Sequence, residues 1–384
     1  MEKTGTHLDL AQLTGLTKLQ SLIIDAPGAM ENSQDSAVMQ EAVQNFPGCL
    51  TSLTQLRVSL DVLYNISSVG QCTNLCDLQL QIGKDSLPNP EGLSALECRA
   101  LAQLTHLTRL NIDVNADPIE PTEANEFYGV LRQLTRLRRV GALFWGPCAI
   151  PVLQSLTQLT AVDGMWSTLQ EPTTVDIIGL VCPHIRELGE TRQPPFDAFP
   201  NLTCVSFCVQ SVASMQSLVS NCTALQKLAL TDLAVDYVTS SNDASGVSVF
   251  KSLAQLQHLT HLDLAPGNDA CFVAFATAAA AVHTPKLRCL HVHGPLTFYA
   301  LMQLQGVHGL QELTVHMSAK KGGKGSFSAK AVRMLLVSLA AVPKVCLVLC
   351  AQEQMGVVAA ARQWAARMEL PMPAVVKVSL AHTR

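Results

Sequence analysis

One phrase returns along the whole chain, and it constrains the fold more than any other feature. It reads LTGLTKLQSLII at 13–24, LAQLTHLTRLNI at 101–112 and LAQLQHLTHLDL at 253–264. Fourteen copies align on a penultimate apolar anchor: Leu22, Val58, Leu78, Leu110, Val140, Val162, Leu188, Val205, Leu228, Leu262, Leu290, Leu313, Val348 and Val378. Their mean spacing is about 27 residues, and self-similarity at such a period indicates a stack of equivalent structural units.

The ending L-x-x-L-x-L predicts a short strand, because its last two apolar positions alternate with period two and point to one face. Between the strands lie stretches with an apolar stripe at helical spacing: 35–44, 92–104, 122–134, 212–219, 247–256, 271–282, 296–304, 328–341 and 354–368. A strand and a helix in each unit predict a curved solenoid, with a parallel sheet inside the arc and helices outside it.

The repeat also bears on domain organisation. A chain of 384 residues exceeds the usual single domain. However, 56 of its residues are Leu, and the repeat runs from end to end. We therefore expect one domain over 1–384, with an N-terminal cap or partial first strand in 1–12 and a C-terminal capping helix and strand in 351–384.

The L-x-x-L-x-L ending resembles the leucine-rich-repeat family over essentially the full chain. The form C-x-x-L-x-x-L at Cys72, Cys182 and Cys222 is similar to the cysteine-containing subclass found in F-box substrate receptors, although no F-box-like segment precedes the repeats. The resemblance implies an α/β leucine-rich-repeat horseshoe of about 13–14 irregular repeats. It further implies protein recognition, which includes a ubiquitin-ligase subunit lacking its own F-box and docking in cytoskeletal or ciliary assemblies.

In such a solenoid the residues between and beside the anchors face the concave side. The predicted partner-binding residues are Asp25, Arg57, Asp61, Asp77, Gln79, Arg109, Asn111, Asp113, Arg139, Asp163, Lys227, His261, Asp263, His291, His293, Thr314 and His316. A mixed hydrogen-bonding surface of this kind suits a protein or peptide partner. We expect a monomeric, non-catalytic scaffold without a cofactor.

Histidines concentrate on three successive strands. Asp263, His291, His293 and His316 could hold a divalent metal such as zinc, so a metal-binding or metal-dependent activity is the alternative function. The other interpretation is a polar binding face that is rich in His, with a response to pH because imidazoles titrate near pH ~6.5.

Aromatic residues follow two consecutive strands. Phe144 and Trp145 come after the strand of Val140, and Trp166 comes after that of Val162. They could share one rim and act as an interaction hot spot, or they could pack beneath an irregular repeat.

Charge and motifs exclude several classes. The net charge of −4 predicts no nucleic-acid or membrane-surface partner, and we interpret the basic run from Arg132 to Arg139 as a solvated turn. No H-E-x-x-H, G-x-S-x-G or dinucleotide fingerprint occurs, so no enzyme is predicted.

The start MEKTGTHLDL does not resemble a secretory signal, no uninterrupted apolar run reaches about 20 residues, and 13 Cys suit a reducing compartment. These features predict a cytoplasmic protein.

Overall fold

A computed structural model describes most of the chain. The described residues are 15–25, 50–60, 66–82, 95–114, 121–145, 149–166, 181–192, 194–209, 211–231, 244–265, 268–282, 286–294, 296–317, 329–349 and 352–380. They fall into two compact units, Met1–Gly189 and Glu190–Arg384. The predicted cap at 1–12 and the predicted helix at 35–44 lie outside the described residues.

The first unit is a parallel sheet whose strands follow one another in chain order. The strands are β1 (Ser21–Asp25), β2 (Gln55–Leu60), β3 (Asp77–Ile82), β4 (Arg109–Val114), β5 (Arg139–Trp145), β6 (Ala161–Trp166) and β7 (Glu187–Arg192), the last of which begins in this unit. The described helices are α1 (Ala95–Ala102), α2 (Pro121–Gln133) and α3 (Ala149–Ser155), with a 3-10 helix at Ile66–Gln71.

The second unit repeats the pattern. Its strands are β8 (Cys204–Cys208), β9 (Lys227–Thr231), β10 (His261–Leu264), β11 (Cys289–Gly294), β12 (Glu312–Met317), β13 (Lys344–Leu349) and β14 (Val375–Leu380). Its helices are α4 (Val212–Asn221), α5 (Ala244–Leu253), α6 (Asp269–Val282), α7 (Phe298–Met302), α8 (Ala329–Ser338) and α9 (Gln352–Arg367), with 3-10 helices at Phe196–Ala198 and Gln303–Gly306. None of the described helices is long and apolar enough to cross a membrane.

Anchors of neighbouring strands lie side by side and are buried. In the second unit, Leu228, Leu262, Leu290 and Leu313 are register partners, and each is at most 2% exposed. Leu78 pairs with Leu110 in the same way in the first unit. Stacking the repeats joins these side chains into a continuous apolar layer between strands and helices. The predicted combination of a parallel sheet, helices and about fourteen repeats is confirmed.

The turns before the strands explain why threonine recurs in the repeated phrase. The carbonyl oxygen of Thr108 accepts hydrogen bonds from the backbone nitrogens of Arg138 and Arg139, at 2.8 and 3.1 Å. The hydroxyl of Thr108 donates in turn to the carbonyl oxygen of Cys76, at 3.0 Å. Thr260 and Gln226 repeat this contact in the second unit, at 3.0 Å. Where threonine occupies this position, its side chain thus hydrogen-bonds its turn to the preceding one.

Three predicted anchors are wrong by two or three positions. The residue in register with Leu78 is Leu56, not Val58, and the residue in register with Leu313 is Val345, not Val348. In β14 the register position belongs to Val376, two residues before the predicted Val378. The sequence KVCLVL of β13 is apolar on both faces, so alternation does not distinguish its buried face from its open one.

The predicted helices match the structure except at short or interrupted segments. Helix α3 was missed because it has seven residues and contains Pro151. The stretch predicted as one helix at 296–304 divides into α7 and a 3-10 turn. The predicted C-terminal helix and strand are present as α9 and β14.

Candidate interaction surface

The sheet has an open face, which we define as the strand side chains that alternate with the buried anchors. Burial alternates along β11, where the side chains of Leu290 and Val292 are buried and those of Cys289, His291 and His293 are half-buried. Alternation puts every second side chain of a strand on this face. The predicted partner-binding residues with described side chains all occupy such positions. Asp61 and the side chains of Asp25 and Asp113 lie outside the described residues.

In the first unit the open face is crossed by ion pairs between strands. Arg109 Nη1 lies 3.3 Å from Asp77 Oδ2. Arg139 Nε donates to Asp163 Oδ2 at 2.8 Å, and its Nη2 lies 3.5 Å from Glu187 Oε2. Glu187 was not among the predicted residues, although it occupies the same strand position as Asp77 and Arg109. Arg109 and Arg139 therefore already have acidic neighbours within the sheet.

Two glycines make room for polar side chains from the preceding strand. A Cβ atom on Gly141 would lie 2.2 Å from Asn111 Oδ1, and one on Gly189 would lie 2.1 Å from Asp163 Oδ1. Asn111 and Asp163 therefore lie across the neighbouring glycine, each over the next strand of the sheet. The absence of a side chain at Gly189 thus helps to position the carboxylate that pairs with Arg139.

In the second unit, Asp263, His291, His293 and His316 form a group that we call the His/Asp cluster. Register places Asp263 beside His291 and His293 beside His316. His293 Nε2 lies 3.1 Å from Asp263 Oδ1, and His291 Nδ1 lies 4.0 Å from Asp263 Oδ2. The rings of His293 and His316 stack with centroids 4.2 Å apart. Asp263 is therefore the acceptor around which the cluster is arranged.

Two imidazoles on this face have lowered pKa values. Burial is the largest cause for the pKa of His316, followed by His293; Asp263 opposes the shift. For His261, burial again comes first, followed by the positive charges of Lys227, His291 and Arg288, so its pKa also falls. Both rings are neutral at pH 7, where they can donate and accept hydrogen bonds.

The hydrogen bonds of Thr260 define the tautomer of His261. The Thr260 hydroxyl has one hydrogen, which it donates to the carbonyl oxygen of Gln226. Its oxygen therefore accepts from His261 Nδ1, which lies 2.8 Å away. This leaves His261 Nε2 as a hydrogen-bond acceptor on the exposed side chain.

The alternative prediction assigns a divalent metal ion to the His/Asp cluster. Across the residues that the structure describes, no three His, Cys, Asp or Glu side chains are grouped so that they could hold a metal ion. The rings of His293 and His316 lie face to face at an interplanar angle of 21°. Stacked rings direct their nitrogens side by side rather than toward one point, whereas zinc requires converging ligands.

The predicted rim aromatics end their strands rather than follow them. Phe144 and Trp145 belong to β5, and Trp166 is the last residue of β6. Trp145 pairs in register with Trp166, after an irregularity between Gly141 and Phe144. The two tryptophans therefore occupy adjacent backbone positions, while their side chains lie outside the described residues.

The cysteines of the C-x-x-L-x-x-L repeats are part of the core. Cys72, Cys182 and Cys222 are buried. Burial raises the pKa of Cys182 to about 11 and that of Cys222 to about 12. The thiols of Cys182 and Cys222 stay protonated at neutral pH and serve as small apolar side chains rather than as nucleophiles.

Comparison with known protein families and with curated proteins finds no match. Among solved structures, the chain is similar to internalin InlF from Listeria monocytogenes, with 12% identity, 88% of this chain and 83% of that chain covered, and a TM-score of 0.36. It is similar to the TLR13 chain of a complex with ssRNA13, with 14% identity, 89% and 47% covered, and a TM-score of 0.46. For CroV588, a circular LRR protein, the values are 11% identity, 90% and 48% covered, and a TM-score of 0.33. The chain thus spans about half the length of the last two.

The class of the protein follows from its own repeat and sheet. Within each unit the described strands are parallel to their sequence neighbours, and L-x-x-L-x-L anchors lie in register beneath the open face. The described residues therefore have a leucine-rich-repeat fold. The likeness to the cysteine-containing subclass stays a hypothesis.

Proposed function

We propose that the protein is a non-catalytic scaffold that binds a protein partner through the open face of its sheet. The observation that carries this proposal is the ordered row of polar side chains on adjacent strands, from Lys227 and His261 to His291 and Thr314. Adjacent strands lie about 4.8 Å apart, so these groups form a closely spaced array. Side chains already held by their neighbours lose little freedom when a partner binds.

The His/Asp cluster concentrates exposed hydrogen-bonding groups on this face. The side chains of Asp263, His291 and His293 are 38–45% exposed, so a partner can reach them. Imidazoles offer hydrogen-bonding nitrogens and flat ring faces, which match backbone groups and aromatic side chains of a partner. We propose that this cluster is the centre of the partner-binding surface.

The same proposal includes a cytoplasmic location. The chain has 13 cysteines, an odd number that is spread along the sequence rather than confined to a short framework, and this usage is typical of a reducing compartment. A role as a substrate-recognition subunit of a ubiquitin ligase would use the same surface. Only the cysteine-containing repeats support the ubiquitin-ligase role, so we propose a protein-binding scaffold without specifying the process it serves.

The test compares partner capture by matched variants. We expect quantitative cross-linking in cells to find a protein retained by the wild type and lost with His291→Ala/His293→Ala. The control is Arg362→Gln/Arg367→Gln, which changes two exposed residues of α9 and should retain the partner. Titration of the purified partner against the three purified proteins then checks direct binding. Equal affinity of all three proteins for every captured partner would contradict the proposal.

A further inference from the structure

The turns that lead into the strands carry a one-sided set of charges. The five residues before each of the fourteen strands include no Asp or Glu, although the chain has 30 acidic residues. The same turns contain six Lys or Arg and four His, namely Lys18, His106, Arg136, Arg138, His184, Arg186, His258, Lys286, Arg288 and His308. The end at which the strands begin is therefore basic in a chain whose net charge is −4, and we call these turns the basic edge.

Neighbouring turns place their basic side chains against each other. Arg136 Nη1 lies 2.8 Å from His106 Nδ1 in the preceding turn. Lys286 Nζ lies 3.1 Å from His258 Nδ1 in the equivalent position of the second unit. Arg and Lys only donate hydrogen bonds, so the Nδ1 atom of each His is the acceptor in these contacts. These contacts orient the cations without cancelling their charge.

Helix ends account for part of this edge but not for all of it. Arg132 lies in the last turn of α2, where the helix dipole favours a cation. Arg136 and Arg138 lie three and five residues beyond the end of α2 at Gln133, outside the last turn to which this effect is confined. Their side chains are exposed, as are those of Arg132 and His106. Stabilisation of the helix therefore does not explain the two turn arginines.

The acids nearest to this edge are engaged within the sheet. Asp77 and Glu187 occupy the first positions of β3 and β7, and they pair with Arg109 and Arg139, which also stand first in their strands. Asp163, two residues after the first position of β6, pairs with Arg139 as well. Arg136 and Arg138 are thus separate from the ion pairs of the open face.

We propose that Arg132, Arg136, Arg138 and His106 form a docking site for an acidic segment of a partner protein, separate from the open face. Guanidinium groups present a planar fork of donors that matches a carboxylate. These side chains come from the end of α2 and from the turns before β4 and β5, and the two turns are one strand step, or about 4.8 Å, apart. Two or three consecutive Asp or Glu residues of an extended segment match this spacing.

The distribution of acids favours a protein segment over nucleic acid. Asp25 ends β1 and Asp113 lies near the end of β4, so acidic positions occur at the opposite ends of strands from the basic turns. A long polyanion would be repelled by the net negative charge of the chain. A short acidic segment contacts the basic edge alone.

The test measures binding of a fluorescein-labelled octaglutamate peptide by fluorescence anisotropy. We expect Arg136→Gln/Arg138→Gln to bind about tenfold more weakly than the wild type at low salt, since two exposed charge contacts are removed. The matched control is Lys330→Gln/Arg362→Gln, which removes two exposed helical cations of the second unit and should leave the affinity unchanged. An octaglutamine peptide should not bind.

A conservative variant separates charge from folding. Arg136→Lys/Arg138→Lys keeps both charges and should retain most of the affinity, with the same thermal melting as the wild type. Equal affinity of the glutamine variant and its control for octaglutamate would overturn the proposal. Tighter binding of an eight-nucleotide single-stranded RNA than of octaglutamate, lost in the same glutamine variant, would overturn it in favour of a nucleic-acid site.

Discussion

Asp263 and His293 come from neighbouring strands and meet on the open face, with Oδ1 and Nε2 3.1 Å apart. The ring of His293 stacks on that of His316 from the next strand, so the carboxylate influences a residue it does not touch. The negative charge of Asp263 on β10 therefore influences the pKa of His316 on β12, two strands away.

We expect Asp263→Asn to lower the pKa of His316 further. The Asp263 carboxylate opposes the lowering caused by burial and by His293, and the amide removes that opposition. A pH titration of the His316 ring proton by NMR measures the change. Asp163→Asn, on the open face of the first unit, serves as the control and should leave the His316 titration where it is in the wild type.

The stability of the protein should fall as the pH is lowered below about 6.5. The pKa values of His261 and His316 are lowered in the folded protein, so the unfolded chain binds protons at these positions first. Their contribution to stability is complete above the unfolded pKa and is lost as the pH falls toward the folded values. Urea midpoints at pH 7.5 and 5.5 measure this loss. The variant His261→Gln/His316→Gln should show a smaller difference between the two midpoints, and an unchanged difference would refute the assignment.

Substitution of Gly70 should destabilise the first unit. A Cβ atom there would lie 2.8 Å from the carbonyl oxygen of Ala100 and 2.9 Å from its Cα, and backbone atoms of α1 cannot easily move aside. We expect Gly70→Ala to reduce the free energy of unfolding by about 1–3 kcal/mol. Gly129→Ala is the matched control, because nothing lies within 4 Å of its Cβ and it sits within α2. That variant should gain about 0.5–1 kcal/mol in the same urea titration.

A pair of valines in β13 tests the register of the sheet. Val345 is fully buried beside Leu313, whereas Val348 is half-buried on the open face beside His316. We expect Val345→Ala to reduce the free energy of unfolding by about 2 kcal/mol and Val348→Ala by under about 1 kcal/mol. Chemical denaturation of both variants measures the difference. The reverse order would place Val348 in the core, as the sequence pattern predicts.

Loss of an anchor should act locally, because each repeat contacts only its neighbours. Leu262→Ala should cost about 2–5 kcal/mol. Amide hydrogen exchange should speed up in β9, β10 and β11, where Leu262 packs beside Leu228 and Leu290. Uniform acceleration across every described strand would contradict quasi-independent repeats.

Much of the fold was predictable because its signals are local. Alternation in HLDL and CLHVH identifies which side chains are buried, and the phrase before each strand identifies the turn. The same reasoning selected Asp263, His291, His293 and His316 as neighbours. It failed at Val58 and Val348, where more than one apolar residue could serve as the anchor.

The amino-acid sequence was sufficient for the class of fold and for the identity of the open-face residues, because period-two and helical patterns are properties of short segments. The contacts of Asp263 with His293 and of Arg139 with Asp163 and Glu187 depend on register between strands more than twenty residues apart in the chain. That register is set by backbone hydrogen bonds between turns and by burial of anchors against neighbouring repeats. Recognising the basic edge requires both the sequence and the tertiary structure. The repeated phrase shows which residues are basic, but only the stacking of the turns brings Arg136 into contact with His106.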